Sequence, residues 1–93
     1  MAKFYRNKKE IGYLKIGFME LIKYSRNGFP ICDECSSDLI GYNDIILIPI
    51  LNEAFCSKCG KDCLEGIIDY PEDRKIRAQR ENFYKDYFNI EEE

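Results

Sequence analysis

The spacing of hydrophobic residues changes along the chain and predicts different elements in different parts. Residues 12–25, GYLKIGFMELIKYS, have an apolar spacing that fits a pair of strands or an amphipathic helix about equally well. Gly12 and Gly17 weaken a helix, and the Asn27-Gly28 pair that follows is typical of a tight turn. We therefore favour strands here and expect an N-terminal β-hairpin.

The apolar run at residues 45–51, IILIPIL, predicts a buried strand rather than a helix. The run is short, rich in β-branched residues, and bounded by Asn43-Asp44 on one side and Asn52-Glu53 on the other. Pro49 lies inside it and cannot donate a hydrogen bond to a neighbouring strand. We therefore expect an edge position or a bulge.

Two helices are predicted in the C-terminal half. Cys59, Cys63 and Ile67 recur every four residues, which is a helical spacing. A second helix is expected to begin near Pro71, a residue suited to the first turn, where Glu72 and Asp73 favour the positive end of the helix dipole. Its apolar stripe, expected to face the core, consists of Ile76, Phe83, Tyr84, Tyr87 and Phe88. The charged residues placed mostly off that stripe are Arg74, Lys75, Arg77, Glu81 and Lys85.

The elements together indicate one small α+β domain over residues 1–93. Its parts are a basic β segment (1–30), a four-cysteine module with one or more strands between its cysteine pairs (31–68), an amphipathic helix (69–88) and an acidic tail (89–93), which we expect to be a frayed, solubilising end. A chain this short buries a thin core, so a metal or covalent clamp is expected.

Composition limits the chemistry that the chain can carry. There are five cysteines and no histidine. The absence of histidine excludes Ser-His and Cys-His nucleophile pairs and every mixed Cys/His metal site, so a transition-metal site must be built from thiolates. No run of about 20 apolar residues and no signal-peptide pattern occurs, so we expect a cytoplasmic protein. In that reducing compartment, clustered cysteines favour metal binding over disulfides.

The strongest motif is a pair of C-x-x-C elements, CDEC and CSKC, separated by twenty residues. This spacing predicts a tetrahedral zinc site with Cys32, Cys35, Cys56 and Cys59 as ligands. Four thiolates close the shell, so we expect a structural rather than a catalytic metal. A redox role for either pair lacks the thioredoxin-like context that such a motif needs.

Three further expectations concern the surroundings of this motif. Gly60 is expected to relieve crowding where backbone amides turn towards the sulfur atoms. Cys63 is expected to pack as a small apolar side chain, although it could instead replace Cys59 as a ligand or be a reactive thiol. Residues 31–68 resemble the treble-clef class of zinc fingers, because a knuckle is followed by strands and then by a helix that begins at the second pair. Proteins of this class have many functions.

The charge of the chain is uneven. The net charge is −3, but residues 1–30 carry +5 and residues 31–93 carry −8. The basic segment, with its interleaved aromatic residues, would suit nucleic acid, but the pI near 5.0 does not, so direct nucleic-acid binding is not expected. The acidic part offers a surface for a basic groove on another protein, unless it is merely a solvated face. The carboxylates assigned to partner binding are Asp33, Glu34, Asp69, Glu72 and Asp73.

Three stretches carry a resemblance to a known group of proteins: ELIKYSRNGFPICDEC, ILIPILNEAFCSKCG and DYPEDRKIRAQRENFY. They resemble small zinc-binding proteins of phages and prophages of low-GC Gram-positive bacteria. Within that group the chain is similar to metal-binding anti-CRISPR proteins. The resemblance implies a non-enzymatic inhibitor in the host cytoplasm that binds a type II-A RNA-guided DNA endonuclease and blocks loading of target DNA. The alternative is a zinc-finger phage transcription regulator that binds nucleic acid.

Overall fold

Four strands form one antiparallel sheet in which spatial order follows sequence order: β1 (Lys3–Arg6), β2 (Gly12–Ile16), β3 (Ile45–Ile48) and β4 (Glu53–Phe55). The computed structural model describes residues 2–24 and 31–90. Within these residues the helices are α1 (Phe18–Tyr24), α2 (Ser57–Gly66) and α3 (Arg74–Tyr87), with a 3-10 turn at Pro71–Asp73. The α+β class, the strands between the cysteine pairs and the two C-terminal helices are confirmed.

The N-terminal hairpin lies earlier in the chain than expected. It pairs β1 with β2, and Lys3 lies opposite Lys15. The strand pair predicted over residues 12–25 is wrong in its second half, where α1 forms. The carboxylate of Glu20 accepts a hydrogen bond from the Gly17 N–H at 3.2 Å, which satisfies an amide at the start of the helix. The predicted Asn27-Gly28 turn lies outside the described residues.

Strand β3 lies in the interior of the sheet, so the edge position inferred from Pro49 is wrong. It pairs with β2 on one side and β4 on the other. Pro49 lies just past the strand, in the turn where the Asn52 N–H donates to the Ile48 carbonyl at 2.8 Å. The proline therefore removes no hydrogen bond from the sheet.

Helices cover both faces of the sheet, and this explains why every residue of β3 is buried. Ile46 faces α2, because a Cβ at Gly60 would lie 2.6 Å from the Ile46 Cβ. Residues alternate between the two faces of a strand, so Leu47 and its partner Leu14 face the other side. There the hairpin meets α3. No helix among the described residues has the length and apolar character needed to cross a bilayer.

Helix α3 is held to the hairpin by a buried carboxylate rather than by its aromatic stripe alone. Glu81 is 3% exposed; its Oε2 accepts the Gly12 N–H at 3.1 Å and its Oε1 accepts a bond from Arg6 at 3.0 Å. Arg77, four residues earlier, lies 3.6 Å from the same carboxylate. The placement of Glu81 off the buried face was therefore wrong. Burying a carboxylate costs free energy of desolvation. The pairing with a cation and a backbone N–H offsets that cost, which an unpaired buried carboxylate would bear in full.

The predicted aromatic core stripe is only partly correct. Tyr84 is buried and Phe88 packs against the core, but Ile76, Phe83 and Tyr87 are exposed. The side chains of α3 and its C-cap that face inward are at positions 77, 81, 84 and 88. A second row, at positions 76, 80, 83 and 87, is rotated about 100° around the helix axis from the first. The ion pairs of Arg77 and Glu81 determine which side of α3 faces the core. The spacing of apolar residues does not predict these ion pairs.

We expect Gly60→Ala to destabilise the protein by about 1–3 kcal/mol, because a methyl group at this point would collide with Ile46 and push α2 off the sheet. This contact, rather than crowding at the sulfur atoms, is what requires glycine here. Gly66→Ala is the matched control on the same helix: no atom lies within 4 Å of a Cβ there, so the change should be neutral or slightly stabilising. Thermal melts of both variants test this, and equal effects would contradict it.

Candidate metal centre

Four cysteine side chains from two distant parts of the chain converge at one point. The sulfur atoms of Cys32, Cys35, Cys56 and Cys59 all lie within 4.8 Å of one another, and those of Cys35 and Cys56 are 3.9 Å apart. A tetrahedral zinc ion with bonds of about 2.3 Å requires sulfur atoms about 3.8 Å apart. All five cysteines are free thiols. The predicted clustering is confirmed, and the group could hold one metal ion.

The first cysteine pair is fixed by a tight knuckle. The Cys32 N–H donates to the Ser37 carbonyl at 2.9 Å, and the Ser36 N–H donates to the Cys32 carbonyl at 2.8 Å. Ser36 adopts a positive φ of 61°, which reverses the chain directly after Cys35. Cys32 is fully buried and Cys35 is exposed, so the knuckle presents the site at the surface.

Asp33 connects this knuckle to the sheet. Its N–H donates to the Ala54 carbonyl at 2.9 Å, and its carboxylate accepts the Ala54 N–H at 2.8 Å. Ala54 belongs to β4 and pairs with Leu47 on its other side, so Asp33 closes the outer edge of the sheet. Because Ala54 lies two residues before Cys56, the same two bonds align both cysteine pairs.

The second pair lies at the start of α2, as its spacing predicted. Cys56 is the N-cap residue, with extended φ and ψ of −65° and 161°, and Cys59 lies in the first turn. Amide dipoles at this end of a helix favour negative charge. The helix therefore places two sulfur atoms where its own backbone stabilises thiolates.

Two of the clustered thiols, Cys35 and Cys59, have pKa values that are shifted in opposite directions. A side-chain hydrogen bond with Ser37 is the main reason why the pKa of Cys35 falls to about 6. The pKa of Cys59 is raised well above the ordinary thiol value, chiefly by its hydrogen bond with Cys56 and then by burial. One thiol is thus ready to bind a cation at neutral pH, while another retains its proton until a cation displaces it.

Cys63 lies outside the cluster and packs partly against the hydrophobic core, which agrees with its predicted role. Burial raises the pKa of its thiol, and the neighbouring carboxylates of Glu53 and Glu34 raise it further. A thiol with a raised pKa is a poor nucleophile at neutral pH. Neither the ligand role nor the reactive-thiol role is favoured for this residue.

The five carboxylates assigned to partner binding have different surroundings. Asp33 is bonded to β4, as described above. Asp69 accepts bonds from Arg74 at 3.1 Å and from Arg77 at 2.7 Å; the Arg74 bond, followed by the Arg77 bond, lowers its pKa. Glu34 and Glu72 are exposed, and Asp73 is half-buried as the N-cap residue of α3. The two residues with internal partners have structural roles, so Glu34 and Glu72 are the more available for a partner.

Two residues near the cysteines were not predicted from the sequence: Ser37, which bonds to Cys35, and Glu53, which lies near Cys63. Ser37 follows the first pair by two residues, and serine near a C-x-x-C element is a readable signal because its hydroxyl can bond to a thiolate. The position of Glu53 near Cys63 could not be predicted from the sequence, because the two residues come close only when β4 pairs with β3.

Comparison with known protein families, with curated proteins and with solved structures finds no match to this chain.

We expect Cys56→Ser to remove the bound metal and most of the folded structure, because structural zinc contributes on the order of 10 kcal/mol to small domains. Cys63→Ser is the matched control, since both cysteines are half-buried at or on α2. Elemental analysis and thermal melts with and without a chelator would distinguish the two variants. Metal loss in both, or in neither, would contradict the ligand assignment.

The apparent affinity for zinc should rise with pH. Above pH 6 Cys35 is largely a thiolate, while Cys59 still carries a proton that the metal must displace; below pH 6 Cys35 also takes up its proton. Each proton that the metal displaces gives about a tenfold gain in affinity per pH unit, and the slope steepens in acid, where Cys35 is also protonated. Competition with a chromophoric chelator measures this slope. A flat profile would show that the ligands bind without losing protons.

Proposed function

We propose that this protein is a zinc-stabilised, non-enzymatic binding protein. The observation that carries the proposal is the cluster of four sulfur atoms, whose spacing suits a tetrahedral ion. Zinc is the common ion for such thiolate sites. With four protein ligands no coordination position remains for water or substrate, so the ion would act as a structural clamp.

The zinc would stabilise the part of the surface that meets a partner. It would join the knuckle, which carries Cys32 and Cys35, to the start of α2, which carries Cys56 and Cys59. Preorganised surfaces bind more tightly because less conformational entropy is lost on binding. In this proposal the metal contributes to affinity without touching the partner.

The metal-loaded centre and two carboxylates near Cys63 carry negative charge. Four thiolates and one Zn²⁺ carry a formal charge of −2, and Glu34 and Glu53 lie close enough to influence Cys63 nearby. A surface of this kind suits a basic groove that normally holds nucleic acid. The channel of an RNA-guided nuclease that holds the guide–target duplex is such a groove.

Together with the resemblance of the three quoted stretches, this negative charge leads us to a specific partner. We propose that the chain is a phage-encoded anti-CRISPR protein that acts in the cytoplasm of a bacterial host. It would bind a type II-A RNA-guided DNA endonuclease and compete with target DNA for the basic channel. Glu34 and Glu72 would contact Lys or Arg of the nuclease.

A cleavage assay with the guide-loaded nuclease tests this function. We expect the zinc-loaded protein to inhibit cleavage when added before target DNA, and Glu34→Lys to weaken inhibition roughly tenfold by reversing one interface charge. Glu10→Lys is the matched control: it makes the same charge change in the β1–β2 turn, where neighbouring Asn7 and Lys9 contact the C-terminal end of α2. That end lies about 15 Å along the helix from the metal centre. Full cleavage at saturating protein would refute the proposal.

A second candidate function, nucleic-acid binding, is favoured by one face of the hairpin. Tyr5 and Tyr13 stack with their ring centroids 5.6 Å apart, and the Lys15 ammonium lies 5.2 Å from the Tyr5 ring centroid. Lys3 lies directly opposite Lys15, an arrangement that repels unless an anion is near. Binding to random duplex DNA with a steep salt dependence, without inhibition of the nuclease, would favour this regulator function.

A further inference from the structure

Helix α3 presents a row of exposed large side chains. We define the outer stripe as Ile76, Arg80, Phe83 and Tyr87. Ile76 is 46% exposed, Phe83 is 54% exposed and Tyr87 is 44% exposed. Their spacing of seven and then four residues keeps them on one side of the helix. Apolar side chains on a second side of a helix offer a face for a further packing contact.

The charges beside the outer stripe indicate which helix covers it. Lys75 and Asp86 are both exposed, and among residues 2–24 and 31–90 neither forms an ion pair. They are eleven residues apart, which corresponds to three full turns of the helix plus a rotation of about 20°. Both side chains therefore lie on the same flank of the outer stripe. Lys75 lies near its N-terminal end and Asp86 near its C-terminal end.

This arrangement is self-complementary. If two copies of α3 pack antiparallel about a two-fold axis near residue 81, Lys75 of each copy faces Asp86 of the other. The same register places Ile76 against Tyr87 and Arg80 beside Phe83 of the other copy. A two-fold interface requires a surface whose two halves complement each other in this way.

A groove beside the stripe offers space for the central side chain. It has a volume of about 300 Å³ and is lined by Asn52, Gln79, Arg80, Phe83 and Tyr84. Because Phe83 and the groove both lie near the middle of α3, the two-fold operation brings Phe83 of each copy to the groove of the other. Arg80, which donates to the Ile50 carbonyl, is held at the edge of this groove, where it can contact an aromatic ring.

We propose that this protein forms a homodimer through the outer stripe of α3, with antiparallel helices and reciprocal Lys75–Asp86 ion pairs. The interface uses one helix face and is small, so the dimer is in the micromolar range of affinity. It uses no residue of the metal centre, because the four cysteines and Glu34 belong to the knuckle and to the start of α2. The inference therefore does not depend on the proposed nuclease partner.

Sedimentation velocity of the zinc-loaded protein, from micromolar to near-millimolar concentration, is the first test. We expect a concentration-dependent monomer–dimer equilibrium that Phe83→Ser abolishes. Phe83 is more than half exposed, so the variant should keep its metal content and melting temperature. A wild-type protein that stays monomeric throughout would overturn the proposal.

Charge reversal tests the register. Lys75→Glu and Asp86→Lys should each weaken the dimer roughly tenfold, because each turns two attractive pairs into repulsive ones. An equimolar mixture of the two variants should form a heterodimer about as tight as the wild type, since both contacts are then attractive again. Lys8→Glu and Glu10→Lys, in the β1–β2 turn, are the matched controls and should have no effect. Single reversals without effect, or a mixture no tighter than either variant alone, would refute the antiparallel arrangement.

Discussion

The convergence of four cysteine sulfur atoms on one point is the constraint on which the structure depends. Sulfur atoms at this separation repel one another once they lose their protons, so four bare thiolates would be unfavourable here. A bound divalent cation would turn this repulsion into a clamp between the knuckle and α2. In a chain of 93 residues such a clamp would supplement a hydrophobic core that is otherwise thin.

Two polar contacts transmit this constraint to the rest of the fold. The double hydrogen bond between Asp33 and Ala54 joins the knuckle to the edge of the sheet and covers backbone groups that would otherwise be open to another strand. At the opposite edge, Glu81 joins α3 to the hairpin through Gly12 and Arg6. The cysteine cluster and the buried carboxylate thus lie at opposite ends of one sheet, and the apolar core of β3 lies between them.

The features that sequence could predict are those determined by nearby residues. The C-x-x-C pairs, the helix that begins at Cys56 and the strand at residues 45–48 all depend on local spacing, and the structure has them. Helix α1 was missed because its start depends on Glu20 bonding to Gly17, while its apolar spacing fitted strands equally well. The rotation of α3 was missed because a buried Glu81 is recognisable only once Arg6 and Gly12, far away in sequence, are placed beside it. The spacing of hydrophobic residues does not predict polar contacts between residues that are far apart in sequence.

X-ray absorption spectroscopy at the zinc edge of the metal-loaded protein tests the central claim most directly. The account predicts a single shell of four sulfur atoms at about 2.3 Å and no nitrogen or oxygen ligand. A shell of three sulfur atoms with one lighter atom would mean that the site is open and the structural assignment is wrong. A protein that binds no zinc and folds equally well without it would contradict the account entirely.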